Sequence, residues 1–158
     1  MTISAVPITV NTGRECYAYA NSGNHGTPTW TLVDFIQDVK ISDSDDKTEL
    51  KLRANRPFKT AVPTLTGWNV TLKVPNIKGD PLLSALRTAK QNKTAIDMIF
   101  LDGVVAPGAG LTSQGPRADW MVEKMDDDQD TGNAEMLDVS LVPAQTANVP
   151  AVFSVVGE

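Results

Sequence analysis

Residues 47–54 alternate without a fault. Thr48, Leu50, Leu52 and Ala54 fall on one side, and Lys47, Glu49, Lys51 and Arg53 on the other. Successive side chains of a strand point to opposite faces, so this pattern describes a half-buried antiparallel strand. The pattern returns at Trp68, Val70, Leu72 and Val74, set off by Asn69, Thr71 and Lys73, and Pro75 and Gly79 stop it. Residues 31–41 read as a long strand with Val33, Phe35, Val39 and Ile41 on one face. Residues 94–101 are apolar enough for a central strand, and 118–125, 136–142 and 149–156 are β-prone as well.

The breaks between these runs set the rest of the layout. Ser42, Asp43, Ser44, Asp45 and Asp46 form a polar interruption, so the strands around them predict a long hairpin with a charged, projecting tip. One good helix is expected over 80–90. Asp80 suits the N-cap because its carboxylate accepts from free backbone N–H groups, and Pro81 suits the first helical position, where its missing N–H costs nothing. Leu82, Leu86 and Ala89 make its apolar stripe, flanked by Leu83 and Ala85, and Lys90 and Lys93 lie near the cation-favouring end. Residues 102–116 hold four glycines and two prolines and read as one long loop. Residues 126–133 read as an acidic turn. The sum is a mainly β fold, a β-sandwich or barrel with a single flanking helix. One domain is expected over 1–158, with an N-terminal arm over 1–12, a core over 13–142 and a C-terminal strand or arm over 143–158.

Composition narrows the function. A chain of 158 residues with 41% hydrophobic and 21% charged residues is globular in character. A net charge of −5 argues against a sequence-independent grip on duplex DNA, which needs clustered Lys and Arg. Cys16 is the single cysteine, so neither an intramolecular disulfide nor a Cys-based zinc site is expected. The first ten residues lack the pattern of a signal peptide and no apolar run reaches membrane-spanning length, so the cytoplasm is the default place of synthesis.

A search for chemistry yields little. His25, the only histidine, lies in a turn-rich stretch beside Asn24 and Gly26 with no nucleophile elbow in the chain, and reads as an ordinary loop residue. Cys16, between Glu15 and Tyr17, reads as a small buried hydrophobe. Asp126, Asp128 and Asp130 have calcium-loop spacing, but Thr131 stands where glycine is needed and Leu137 where a bidentate Glu is needed. Neither phosphate-loop spacing nor a dinucleotide fingerprint occurs. Trp30, Trp68 and Trp120 lie in or beside strands and read as core packing. No catalytic residue, cofactor or metal is therefore expected, and the chain reads as a structural protein.

The ordered pieces carry a resemblance. Gly26-Thr27-Pro28-Thr29-Trp30 leads into a strand ending Gln37-Asp38-Val39-Lys40-Ile41. Asp46-Lys47-Thr48-Glu49-Leu50-Lys51-Leu52-Arg53, Arg56-Pro57-Phe58-Lys59-Thr60 and Leu65-Thr66-Gly67-Trp68 follow. Then come the lone helix, a strand ending in Asp102-Gly103, and a strand pair around an acidic turn. Over about residues 26–142 this order resembles the major tail tube proteins of long-tailed, non-contractile, siphovirus-like bacteriophages. The resemblance implies a virion structural protein, made in the host bacterial cytoplasm. Six copies would close into a ring whose inner strands form a continuous barrel, and rings would stack into a tube through which DNA passes at infection. The implied partners are further copies of the chain, the tape measure, tail tip and terminator proteins, and DNA in transient non-specific passage, with no membrane insertion.

Stacking needs projecting elements. The expected inter-subunit and inter-ring contacts are Ser42, Asp43, Ser44, Asp45, Asp46 and Lys47, with the N-terminal arm and the loop 102–116. Glu49, Lys51 and Arg53 are expected to face the lumen. Two alternatives stand beside this reading. Another virion component, such as a tail terminator or a capsid decoration protein, would differ in its oligomer. A carbohydrate-binding β-sandwich would need an exposed indole face.

Overall fold

The computed structural model describes residues 16–50, 60–128 and 135–157. Among them are eight strands and one helix: β1 (Tyr17–Asn21), β2 (Trp30–Leu32), β3 (Gln37–Leu50), β4 (Thr60–Pro75), α1 (Pro81–Asn92), β5 (Ala95–Leu101), β6 (Thr112–Asp128), β7 (Met136–Pro143) and β8 (Ala151–Val156). The expected arm over 1–12 lies outside the described residues, as do Lys51 and Arg53.

All pairings are antiparallel. The strands form one sheet in the order β2-β1-β5-β6-β7-β4-β3, and β8 also joins β6. β6 is the spine: residues 112–117 pair with β8 and residues 120–128 with β7. The alternation seen in the sequence decides what is buried. Val70, Leu72 and Val74 of β4 meet Leu137, Val139 and Leu141 of β7 on one face, all at 1–2% exposure or less. Trp120 of β6 sits at the centre of this core, fully buried. Its Nε1–H donates to Met98 O at 2.9 Å, the Phe100 ring meets it edge-on at 5.5 Å, and Trp68 stacks at 6.5 Å.

α1 closes over that core. Asp80 has extended backbone (φ −66°, ψ 120°) and accepts from Leu82 N at 3.1 Å, while Lys93 ends the helix in the left-handed region at φ 55°. The buried stripe is Leu83, Leu86 and Ala89. Leu86 and Ala89 are buried as expected, but Leu83 takes the first place of the stripe, while Leu82 is half-buried against the core and Ala85 is exposed.

The opposite face carries a second, smaller core of Tyr19, Ile99 and Leu101, with Trp30 and Phe153 packed against it. Trp30 comes from β2 and Phe153 from β8, four strand spacings apart, or about 19 Å in a flat sheet. Their ring centroids are 5.8 Å apart, so the sheet must curl over this face. Gly115 permits the curl. A Cβ there would stand 1.7 Å from the Phe100 carbonyl oxygen.

Four expectations need correction. The run Ser42, Asp43, Ser44, Asp45, Asp46 and Lys47 is not a hairpin tip but the middle of β3, paired residue by residue with β4. The β3–β4 ladder continues to Leu50↔Thr60, and the connection, residues 51–59, lies outside the described residues. The expected strand 31–41 is broken over 33–36, and Val33 and Ile36 of the break pack against the main core with Val39 of β3. The loop expected over 102–116 ends at Leu111, because residues 112–116 form a ladder with β8. Of the acidic turn expected over 126–133, Asp126, Asp127 and Asp128 extend β6, and 129–133 lie outside the described residues. The C-terminal segment, left open as strand or arm, is a strand.

Candidate functional site

The register puts a polar surface on the face of β3, β4, β7 and β6 away from the main core. Lys40 lies opposite Thr71, Thr71 opposite Ser140, and Ser140 opposite Lys124. One step along, Lys73 lies opposite Asp138 and Asp138 opposite Asp126. These residues line a shallow depression of about 540 Å³. Lys124 Nζ and Asp126 Oδ2 are 2.5 Å apart, and that hydrogen bond and charge hold the Lys124 ammonium above its ordinary pKa. Lysines and aspartates are interleaved, so the face has no single sign.

This four-strand surface has an edge on each side. β3 ends the sheet. On the other flank, β5 pairs with β6 only from Arg117 to Met121, and no strand lies beside the rest of β6 on that side among the described residues. Lys90 of α1 donates to the Glu123 carbonyl at that point. Open edges pair with other chains unless they are covered.

β3 and β4 also run beyond the sheet. β7 pairs with β4 only over 70–75, whereas the β3–β4 ladder goes on to Leu50↔Thr60. The excess is a two-stranded ribbon, exposed at every position over 42–49. Thr66 Oγ1 donates to Asp45 at 2.7 Å across it. Such a ribbon has little stability of its own without a third strand or a packing partner. Ser42, Ser44 and Asp46 lie on the face of Lys40 and Thr71, and Asp43 and Asp45 on the other. The register shifts between Asp46↔Leu65 and Lys47↔Pro63 with the extra residue on β4, so β3 keeps its alternation, and Lys47 and Glu49 fall with Asp43 and Asp45, not on the Lys40 face where Glu49 was expected to serve.

The densest electrostatic cluster lies elsewhere, over the second core. Arg117 Nε and Nη2 donate to the two Asp97 oxygens at 3.2 and 2.8 Å, and Nη2 also donates to His25 O at 2.9 Å. The guanidinium sits 4.9 Å from the Trp30 ring centroid and 5.9 Å from that of Phe153. Burial pushes the Asp97 carboxyl up, but hydrogen bonds from Arg117 and Asn21 and the charges of Arg117 and His25 outweigh it and hold the pKa below its ordinary value. Donor atoms of His25, Asp97 and Asp119 lie within 4.8 Å of one another. They do not make a cation site, because Arg117 already supplies the positive charge there. Asp119 Oδ2 accepts from Thr146 at 2.6 Å and Asn148 at 2.9 Å. His25 is therefore part of a network tying the β1–β2 loop to β5 and β6, not a bare loop residue. The cluster is a clamp on the fold.

Cys16 is half-buried, and burial, then the Asp102 charge, raises its thiol pKa. Of the tryptophans, Trp120 is fully buried, and Trp30 and Trp68 are half-buried against aromatic neighbours.

No family model matches the chain, and no curated protein matches it. Solved structures do. The tail of an empty gene transfer agent particle, refined with C6 symmetry, superimposes with a TM-score of 0.66 at 8% identity, covering 90% of this chain and 98% of that one. The SPP1 tail tube does so at 0.64 and 17% identity, covering 83% and 74%. The fold is that of tail tube proteins. The tube-terminating cap of the anti-feeding prophage shares it, with a TM-score of 0.61 at 14% identity over 99% of this chain and 100% of that one. Sequence reading missed Lys40, Lys73, Lys124 and Asp138 as members of one surface. The period-two pattern of each strand held the signal, but only register aligns the strands.

Proposed function

We propose that the chain is a tail tube protein of a phage or phage-like particle, a structural protein whose copies join into rings that stack into a tube. One observation carries the reading: a four-strand sheet with a polar outer face and an open edge on both flanks, in the fold of known tubes. Joining the β3 edge of one copy to the exposed β6 edge of the next satisfies both and leaves none to aggregate. The contact is heterologous, and it closes when the rotation per copy divides a full turn. The C6 symmetry of the gene transfer agent tail supports rings of six.

In such a ring the Lys40–Thr71–Ser140–Lys124 row and the Lys73–Asp138–Asp126 row face the lumen. Interleaved signs suit a conduit. A wall of lysines would displace counterions and hold DNA, and mixed charge avoids that grip. Ser42, Asp43, Ser44, Asp45, Asp46 and Lys47 then act as contacts along the β3 edge and ribbon, not as a tip. The tape measure, tail tip and terminator are the further partners, and the virion tail is the location.

Negative-stain electron microscopy of the purified chain, with light scattering against concentration, tests the reading. Long hollow tubes or stacked rings support it. A single closed ring that never stacks favours a terminating cap, the second role this fold serves. A species that stays monomeric at high concentration, alone and with preformed rings added as seeds, overturns both.

A further inference from the structure

A groove unrelated to the polar face lies between the first turn of α1 and the turn after β2. It has a volume of about 510 Å³, and Leu32, Phe35, Leu82 and Ile96 give it an apolar lining. Phe35 is 52% exposed and Leu32 41%, so two large apolar side chains of the lining are open to solvent. Asp34 and Asp80 add negative charge to it. Asp80 uses Oδ1 to cap the helix, and Oδ2 is buried with no hydrogen-bond donor among the described residues. A buried carboxylate oxygen without a donor is costly, and a guanidinium nearby relieves that cost.

The chain contains a segment with the complementary chemistry. Residues 51–59 read Lys-Leu-Arg-Ala-Asn-Arg-Pro-Phe-Lys, four cations and no anion, with Leu52 and Phe58 as large apolar side chains. They connect Leu50 to Thr60, at the far end of the ribbon. The groove adjoins the opposite end of β3, two residues before Gln37. Thirteen strand steps separate Gln37 from Leu50, about 43 Å at 3.3 Å per residue, so a copy cannot fill its own groove. We propose that the groove beside α1 receives the 51–59 segment of a second copy, with Phe58 or Leu52 among the apolar residues and an arginine against Asp34 and Asp80. Tip and groove at opposite ends of one strand make a head-to-tail contact, which propagates as an open stack. The inference rests on the tube reading for its setting and goes beyond it in naming the receptor site.

Disulfide trapping tests the contact directly. All variants carry Cys16→Ser, and thermal melting confirms that each is folded. Chains with Ala85→Cys, in the groove lining, are mixed with chains carrying Ala54→Cys and mildly oxidised, and Thr88→Cys on the exposed side of α1 replaces the groove cysteine as control. Docking raises the local thiol concentration, so the groove–tip heterodimer should form at least about tenfold faster than the control. Equal rates overturn the proposal. Ala54→Cys chains carrying Arg53→Glu and Arg56→Glu should lose the advantage, and Asp34→Lys in the groove partner should restore part of it. No response to charge reversal also overturns the proposal. Microscopy of the same samples separates the two claims. Tubes without groove–tip linkage leave the tube reading and remove this one, and linkage without tubes does the reverse.

Discussion

Replacing Arg117 with methionine isolates the charge clamp over the second core, because methionine keeps an unbranched apolar stem between Trp30 and Phe153. The Arg117 and Asp97 side chains are 14% and 12% exposed. Removing one member of a buried pair leaves the other charge uncompensated, at a cost of about 3–5 kcal/mol. Asn21 Nδ2 still donates to Asp97 at 2.8 Å, which places the cost near the lower end. Loss of the cation over the rings adds about 0.5–1 kcal/mol. The expected destabilisation at neutral pH is about 3–4 kcal/mol, or roughly 6–16 °C in Tm for a domain of this size. The double variant Arg117→Met with Asp97→Asn should recover much of it, since no buried charge remains. The gap should also depend on pH. Wild-type Asp97 has a depressed pKa, so its stabilisation is present above the ordinary carboxylate value of 3.8 and is lost as pH falls through the lower folded value. In the variant, burial acts without Arg117, and protonation relieves the penalty. The difference between the two proteins should therefore shrink on acidification. Urea unfolding followed by tryptophan fluorescence, at concentrations where scattering shows single copies, measures both. A loss under about 1 kcal/mol, or a gap that does not change with pH, would refute the assignment of Arg117 as the charge that holds this core.

Three further outcomes follow. Gly115→Ala should cost about 3 kcal/mol or more by urea unfolding, because its Cβ would meet the Phe100 carbonyl, which is backbone and cannot rotate away. Leu86→Ala should cost about 2–5 kcal/mol, since the side chain is 1% exposed under the sheet, whereas Thr88→Ala on the exposed side should change stability by about 0.5 kcal/mol or less. In acid titrations of Tm, the wild type should lose stability below the ordinary carboxylate range more steeply than Asp97→Asn, and parallel curves would show that Asp97 does not contribute.

Strands with one buried face were legible because their alternation survives in the sequence, as at 68–74 and 136–142. The ribbon was not. Over 42–46 neither face meets a core, so no apolar period marks the strand, and five polar residues read as a break. Residues 112–116 misled for another reason. Gly115 is there to let strands approach, and beside Pro116 it looks like loop composition. The helix was found from its cap and two of its three stripe residues from their period, but Leu82 was read in the place of Leu83, because the two are equally apolar and only the sheet chooses between them. The polar face and the Arg117 cluster join residues up to about a hundred positions apart. Their chemistry was visible one residue at a time, and their proximity was not.

The ribbon beyond Trp68 has one more consequence, for motion. Its ladder bonds bury none of the core, so their amides can open without unfolding the sheet, while those of β5, β6 and β7 open only when the whole domain does. Hydrogen exchange in a free copy should thus fall into two classes within the single strand β4, fast at 60–67 and slow at 70–75. A neighbour that covers the ribbon would slow the first class and leave the second unchanged, which makes β4 its own internal record of whether a copy is alone or assembled.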